Sequence, residues 1–300
     1  MNKPIIHPYI PIAIGVLTVG FSAVVVKLIT ADAGVIAFYR MFFSVVFMLP
    51  FFLHSYRHEL KELTRRDWLF SSVAGIFLAI HFILWFESLT YTSVASSTVL
   101  VTLQPIFALA GTALFFKEVI SGKMLIAVLV ALSGSVVISW GDFQLSGAAL
   151  FGDVLALLAC LFITAYLLVG QDVRKRVSLV TYTFLVYLAS SIALFIYVVG
   201  TRQSLLHYPA SDWAWFLVLA LLPNLLGHTL FNWAIKWVST NVVSIAVLFE
   251  PVIASIAAYY ILRESISIPQ LIGGIIVLIG ILLFVIDVQA IKKKLFLKNT

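Results

Sequence analysis

Shifting the chain by 146 positions lays residues 93–134 on residues 239–280 without a gap. Ser93 then falls on Ser239, Pro105 on Pro251, Glu118 on Glu264, Ser121 on Ser267 and Gly134 on Gly280, with 11 identities in 42 positions. Apolar bias alone produces some of those matches, but not a proline, a glutamate and a glycine held in one register. The chain is read as a tandem duplication, so any fold must place the same unit twice.

The solvent for that fold is a bilayer. Soluble domains are about 45–50% apolar and about 25% charged, whereas these 300 residues are 62% apolar and 11% charged. Ten apolar runs, at 9–29, 34–53, 68–91, 93–116, 123–140, 149–170, 179–200, 213–235, 239–262 and 267–288, are long enough to cross as helices, for which roughly 20 residues suffice. Lipid offers no partner to open backbone groups, so the expected fold is an all-α integral membrane protein. Lys3, the run from Tyr9 and Ala31-Asp32-Ala33 imitate a cleaved signal peptide. That run has the length of a crossing, however, and the duplication needs it as the counterpart of the run after Phe151, so it is expected to stay.

Basic residues orient the runs. With both ends cytoplasmic, the inner side holds Lys3, Arg57, Lys61, Arg65, Arg66, Lys117, Lys123, Arg174, Lys175, Arg176, Lys236, Lys292, Lys293, Lys294 and Lys298. The outer side holds only Lys27, Arg202 and Arg263, as the positive-inside rule requires. The expected location is a plasma (inner) membrane, crossed many times. Five spans per unit is odd, so the second unit enters upside down. The chain divides into five-helix repeats at 1–145 and 146–291 and a basic cytoplasmic tail at 292–300. Inverted repeats of this kind are a recurrent plan of secondary transporters, with substrate held near mid-bilayer where the repeats meet.

Pro105 with Phe116-Lys117-Glu118-Val119-Ile120-Ser121, and Pro251 with the run from Leu262 to Gly273, resemble the duplicated EamA unit of the drug/metabolite transporter superfamily. Gly15–Lys27 and Phe38–Arg40 are similar to that family's first two helices, so the resemblance spans nearly the whole chain. Met124 and Ala127 depart from Gln270 and Gly273 of the second unit. The resemblance implies ten transmembrane helices in two inverted repeats, cytoplasmic termini, and export or exchange of small metabolites. It names no substrate.

Ionisable groups inside a membrane cost roughly 2.5–3.5 kcal/mol each, so they face a cavity or one another. The candidates are Arg40, His81, Glu87, His228 and Glu250. Glu250 sits mid-span before Pro251, whose missing N–H frees the carbonyl of Val247; Gln104-Pro105 is the equivalent pair. These two are expected to face each other as the floor of a substrate cavity, with Glu250 also a candidate to carry a coupled proton. Arg40 and Glu87 lie at similar depth on adjacent spans, which suggests a structural ion pair, or a free Arg40 binding a carboxylate. Asn224, His228 and Asn232 are four residues apart and share one face of an ideal helix, beside the helix-breaking Pro223. His81 falls on Gly227, one short of His228, so the symmetry there is approximate. Tyr39, Trp85, Tyr91, Tyr166 and Trp233 are further candidates to line the cavity.

Competing classes meet specific obstacles. An intramembrane enzyme would carry GxSG, GxGD or HExxH, and a direct ATP user GxxxxGK[ST]; the chain has none of these. A passive channel would show oligomer-forming repeats or filter rings. No catalytic residue is expected. The single Cys160 and the lack of His/Cys spacing give no reason to expect a disulfide, a metal or a cofactor. Mixed charge in the candidate set disfavours phosphorylated substrates. The reading is a secondary transporter, an exporter or exchanger, of small neutral, zwitterionic or amphipathic metabolites. Its expected partners are the substrate, the bilayer and protons, not nucleic acid, in a monomer or weak homodimer.

Overall fold

The computed structural model describes residues 4–118, 120–139, 147–263, 268–269, 271–280 and 282–283. Among the described residues, eight helices are long and apolar enough to cross a membrane: α1 (Tyr9–Lys27), α2 (Ala33–Ser55), α3 (Arg65–Tyr91), α4 (Val94–Phe116), α6 (Ala148–Val173), α7 (Leu179–Gly200), α8 (Ala210–Ala234) and α9 (Thr240–Ile261). Two shorter apolar helices, α5 (Gly122–Gly134) and α10 (Leu271–Gly280), occupy the other expected positions. Glu264 and Ser267 of the repeat motif, the remainder of the tenth predicted span and the basic tail lie outside the described residues.

Polar residues set the helix starts. Thr64 and Asp67 form a reciprocal capping box at the head of α3. Ser178 caps α7 by accepting from Thr181 N, and Ser93 caps α4 by accepting from Ser96 N. Each such bond satisfies a donor that has no partner inside its own helix.

The breaks inside helices matter more than the starts. The first segment of α4 is Val94–Val101 and the second Gln104–Phe116; in α9 they are Thr240–Val247 and Glu250–Ile261. Both first segments and both restarts are related by the 146-residue shift. Pro105 and Pro251 open the second segments, and without an N–H they cannot bond the carbonyls four residues back, on Val101 and Val247. The equivalence continues at the helix ends, where Lys117 and Arg263 both turn left-handed, with φ of 54° and 61°.

Each helix of the first half rests on one of the second: α1 on α8, α2 on α7, α3 on α6, and α4 on α9. In α4 and α9 the first segment of each meets the second segment of the other, as in an antiparallel crossing. Helices α5 and α10 meet through glycine. A Cβ on Gly134 would stand 2.7 Å from Val277 N, and one on Gly280 would stand 2.6 Å from Ala131 N. Ala131 and Val277 are themselves repeat equivalents, so the contact is reciprocal, as across a two-fold axis.

Polar ties gather at opposite ends of this bundle. At one end Arg176 pairs with Asp67 at 3.0 Å and with Asp172 at 3.2 Å. Glu59 accepts from Ser178 and Thr181 at that same end. At the other, Asp212 accepts from Thr30 Oγ1 at 2.7 Å and Tyr39 donates to Leu205 O at 2.6 Å.

Candidate functional site

The breaks in α4 and α9 meet at a small, largely enclosed cavity. It is lined by Val101 and Gln104 from α4, Val247 and Glu250 from α9, and His81 and Trp85 from α3. His228 and Phe231 of α8, Val19 of α1, and Ile163 and Leu167 of α6 complete the wall. The free space is about 20 Å³, room for about one water.

Polar side chains on this wall have little to bond. Gln104 and Glu250 are each 4% exposed, and Oε1 of each has no hydrogen-bond partner. Trp85 Nε1 and His228 Nδ1 are likewise buried without partners. His81 differs: its Nδ1 lies 3.0 Å from Ala159 O, and its ring stacks on Trp85 at 5.7 Å. Buried polar groups normally find partners, so four unsatisfied ones around one cavity mark a place prepared for something else.

Behind the cavity, Arg40 of α2 is fully buried. It donates through Nη1 to Ser22 Oγ at 2.8 Å, and its guanidinium lies 4.2 Å above the Phe82 ring. Nε and Nη2 are unpaired, and the charge is within electrostatic reach of Glu250, His81 and His228. The expected ion pair with Glu87 is not formed: the ion pairs among the described residues leave out both residues. Phe82 and Phe86 are the α3 residues facing the guanidinium, and Glu87, one position on, is rotated by about 100°.

The Asn224, His228, Asn232 stripe also departs from expectation. Residues Ala220–His228 form a π-helical stretch around Pro223, which takes up an extra residue relative to α geometry and turns the face. Asn224 donates to Ser44 Oγ of α2 at 2.8 Å, and Asn232 accepts from Tyr166 of α6 at 2.6 Å. Only His228 reaches the cavity wall. Tyr39 packs on Phe216 and Trp213 at the far end of α2, away from the cavity. Tyr166 lies behind His228, with ring centroids 6.4 Å apart, and does not line the wall; neither do Tyr91 and Trp233. The apolar wall residues Val19, Ile163, Leu167 and Phe231 carry no mark that would distinguish them in so apolar a sequence.

A second hollow of 190 Å³ opens between α1, α2 and α3 at the Thr30 end, lined by Lys27, Phe86 and Thr90 among others. Phe86 is 1% exposed and its ring lies 5.3 Å from Trp85 of the cavity wall. The two aromatic rings stand between the hollow and the cavity.

A bundle of apolar helices that cross-pack half on half, and enclose unsatisfied polar groups beside two broken helices, is the construction of a membrane transporter. The EamA-like transporter family model matches residues 8–140 and again 150–286. The chain belongs to that family. An uncharacterized transporter of Archaeoglobus fulgidus is 25% identical over 273 residues, covering 91% of this chain and 94% of the relative. The uncharacterized transporter sll1164 of Synechocystis sp. is 25% identical over 240 residues, with 77% and 69% covered. One crystal structure superposes with a TM-score of 0.77 at 14% identity, over 95% of this chain and 98% of the other. That likeness speaks for the fold alone. Family and relatives mark a transporter rather than an enzyme.

Proposed function

We propose that the protein is a secondary transporter, an exporter or exchanger, of small neutral, zwitterionic or amphipathic metabolites. It works by alternating access around the cavity between α4 and α9. The observation that carries this reading is the meeting of two repeat-equivalent helix breaks at unpartnered Gln104, Trp85, His228 and Glu250. Ten membrane helices in two inverted five-helix repeats, divided near residue 145, fit the antiparallel α4–α9 crossing and the reciprocal Gly134–Gly280 contact. The Lys and Arg distribution supports a plasma-membrane protein with both termini and the Asp67–Arg176 end in the cytoplasm.

Substrate contacts come from Glu250, Gln104, His81, Trp85 and His228, with Arg40 supplying positive charge from behind. Tyr39, Asn224, Asn232 and Tyr166 hold helices in place around them. One buried cation and one buried carboxylate suit a molecule that is neutral or carries both signs, and suit a phosphate poorly. A cavity the size of a water cannot hold a metabolite, so binding requires the halves to part. On the outer side the parting runs through Phe86 and Trp85. On the inner side it runs through the Arg176–Asp67 and Glu59–Ser178 ties.

The test is counterflow into proteoliposomes against a panel of amino acids and amphipathic metabolites, with and without a pH gradient. Glu250→Gln keeps the size and hydrogen bonding of the side chain but not its charge. The variant is expected to fold normally and to lose at least tenfold in rate. Wild-type rates by a well-folded variant would remove Glu250 from the site. A wild-type response to the pH gradient that the variant lacks would assign it the proton as well.

A further inference from the structure

We infer that the break between α4 and α9 is a binding site for one small monovalent cation, stripped of its water. The inference rests on the transport reading above and names what the same cavity holds besides, or as part of, a metabolite.

The donors are oxygens in a symmetric set. The segments Val94–Val101 and Thr240–Val247 both terminate at the cavity, and their last residues line it. Pro105 and Pro251, having no N–H, deprive the carbonyls of Val101 and Val247 of the donor that an unbroken helix would supply four residues on. At the restarts stand Gln104 and Glu250, which also line the cavity, and neither has a hydrogen-bond partner for its Oε1. Two helix-segment ends, an amide oxygen and a carboxylate thus meet at the cavity from equivalent positions of the two halves. Oxygen donors of this kind suit hard cations, and carbonyls at unwound helix segments hold coupling ions in broken-helix transporters. The expectation of no metal site rested on His and Cys spacing, which says nothing about such a cage.

Charge and size agree with this assignment. Each segment end contributes about half a negative charge, and Glu250 adds a full one when ionised. Against them stands Arg40, drawn aside to Ser22 and Phe82. His81 and His228 face the same space, and His81 is tied through Nδ1 to Ala159 O. Free space of about 20 Å³ admits a sodium ion or an ammonium group and excludes a larger polyatomic ligand. The cation has two sources, a free sodium ion or the ammonium end of a transported amine.

The experiment is thermal melting of the purified full-length protein in detergent at constant ionic strength. N-methylglucamine chloride is replaced stepwise by sodium, potassium or methylammonium chloride. Sodium is expected to raise Tm saturably, with potassium at least tenfold weaker. Glu250→Gln and, separately, Pro251→Ala should each weaken the sodium midpoint by tenfold or more. Pro251→Ala serves as the second variant because it restores an N–H to the Val247 carbonyl and leaves all charges in place. Stabilisation by methylammonium with sodium silent would assign the site to the substrate's ammonium. No shift with either cation, or a shift that survives in both variants, overturns the site. Counterflow separates the two readings: transport indifferent to both cations leaves the transporter standing without the cage. Cation binding with no transport of any metabolite does the opposite.

Discussion

Arg40 is buried beside Ser22 and Phe82, and Glu87 is not its partner. Glu87→Ala should therefore leave Tm within about a degree of wild type, whereas Arg40→Ala, which empties a fully buried site, should lower it by several degrees. A matching loss in both variants would restore the pair. Phe86 separates the hollow at the Thr30 end from the cavity, so a cysteine at position 104 should react with a water-soluble maleimide faster in Phe86→Ala than in the parent. Equal rates would place the barrier elsewhere. The native Cys160 is fully buried and should stay unlabelled in both. Glu250, Gln104, His81, Trp85 and His228 were legible as cavity-lining residues because polar or amphipathic groups deep in an apolar span have few places to go. Tyr39, Asn224, Asn232 and Tyr166 looked the same. Their partners depend on helix rotation, which residue spacing conveys only while the helix stays regular.

Among the elements, the antiparallel contact of α5 with α10 makes a symmetric prediction. Gly134→Ala and Gly280→Ala each push a Cβ against backbone of the other helix, at a cost of about 1–3 kcal/mol. The two losses should be similar, and the double variant should cost less than their sum because the helices part once. Full additivity in thermal or denaturant unfolding would argue against one shared contact. The breaks in α4 and α9 were foreseeable from Gln104-Pro105 and Glu250-Pro251, since proline acts through a missing donor that any reader of the chain can see. The π-helical stretch at Ala220–His228 was not foreseeable. Pro223 announced a disturbance, but whether a helix answers proline with a kink or a wide turn depends on its neighbours, here Ser44 of α2 and Tyr187 of α7.

On the scale of the molecule, the ties at its two ends define two faces whatever membrane surrounds them. With Cys160 replaced by alanine, cysteines at positions 61 and 175 should share one labelling pattern in sealed cells and a cysteine at 206 should show the other. Impermeant reagent reaching position 61 from outside would reverse the orientation given by the basic residues. The duplication was legible because its marks are a proline, a glutamate and a glycine; the pairing of α1 with α8 and α3 with α6 was not, because leucine and valine suit any neighbour. That pairing has a consequence for how the chain is made. While the ribosome is still short of residue 210, α1 has no α8, and the cavity beside Gln104 lacks the wall that His228, Phe231, Val247 and Glu250 supply. The early product should be a ward of insertion chaperones, and a chain truncated near residue 145 should be cleared by membrane proteases rather than accumulate as a stable half.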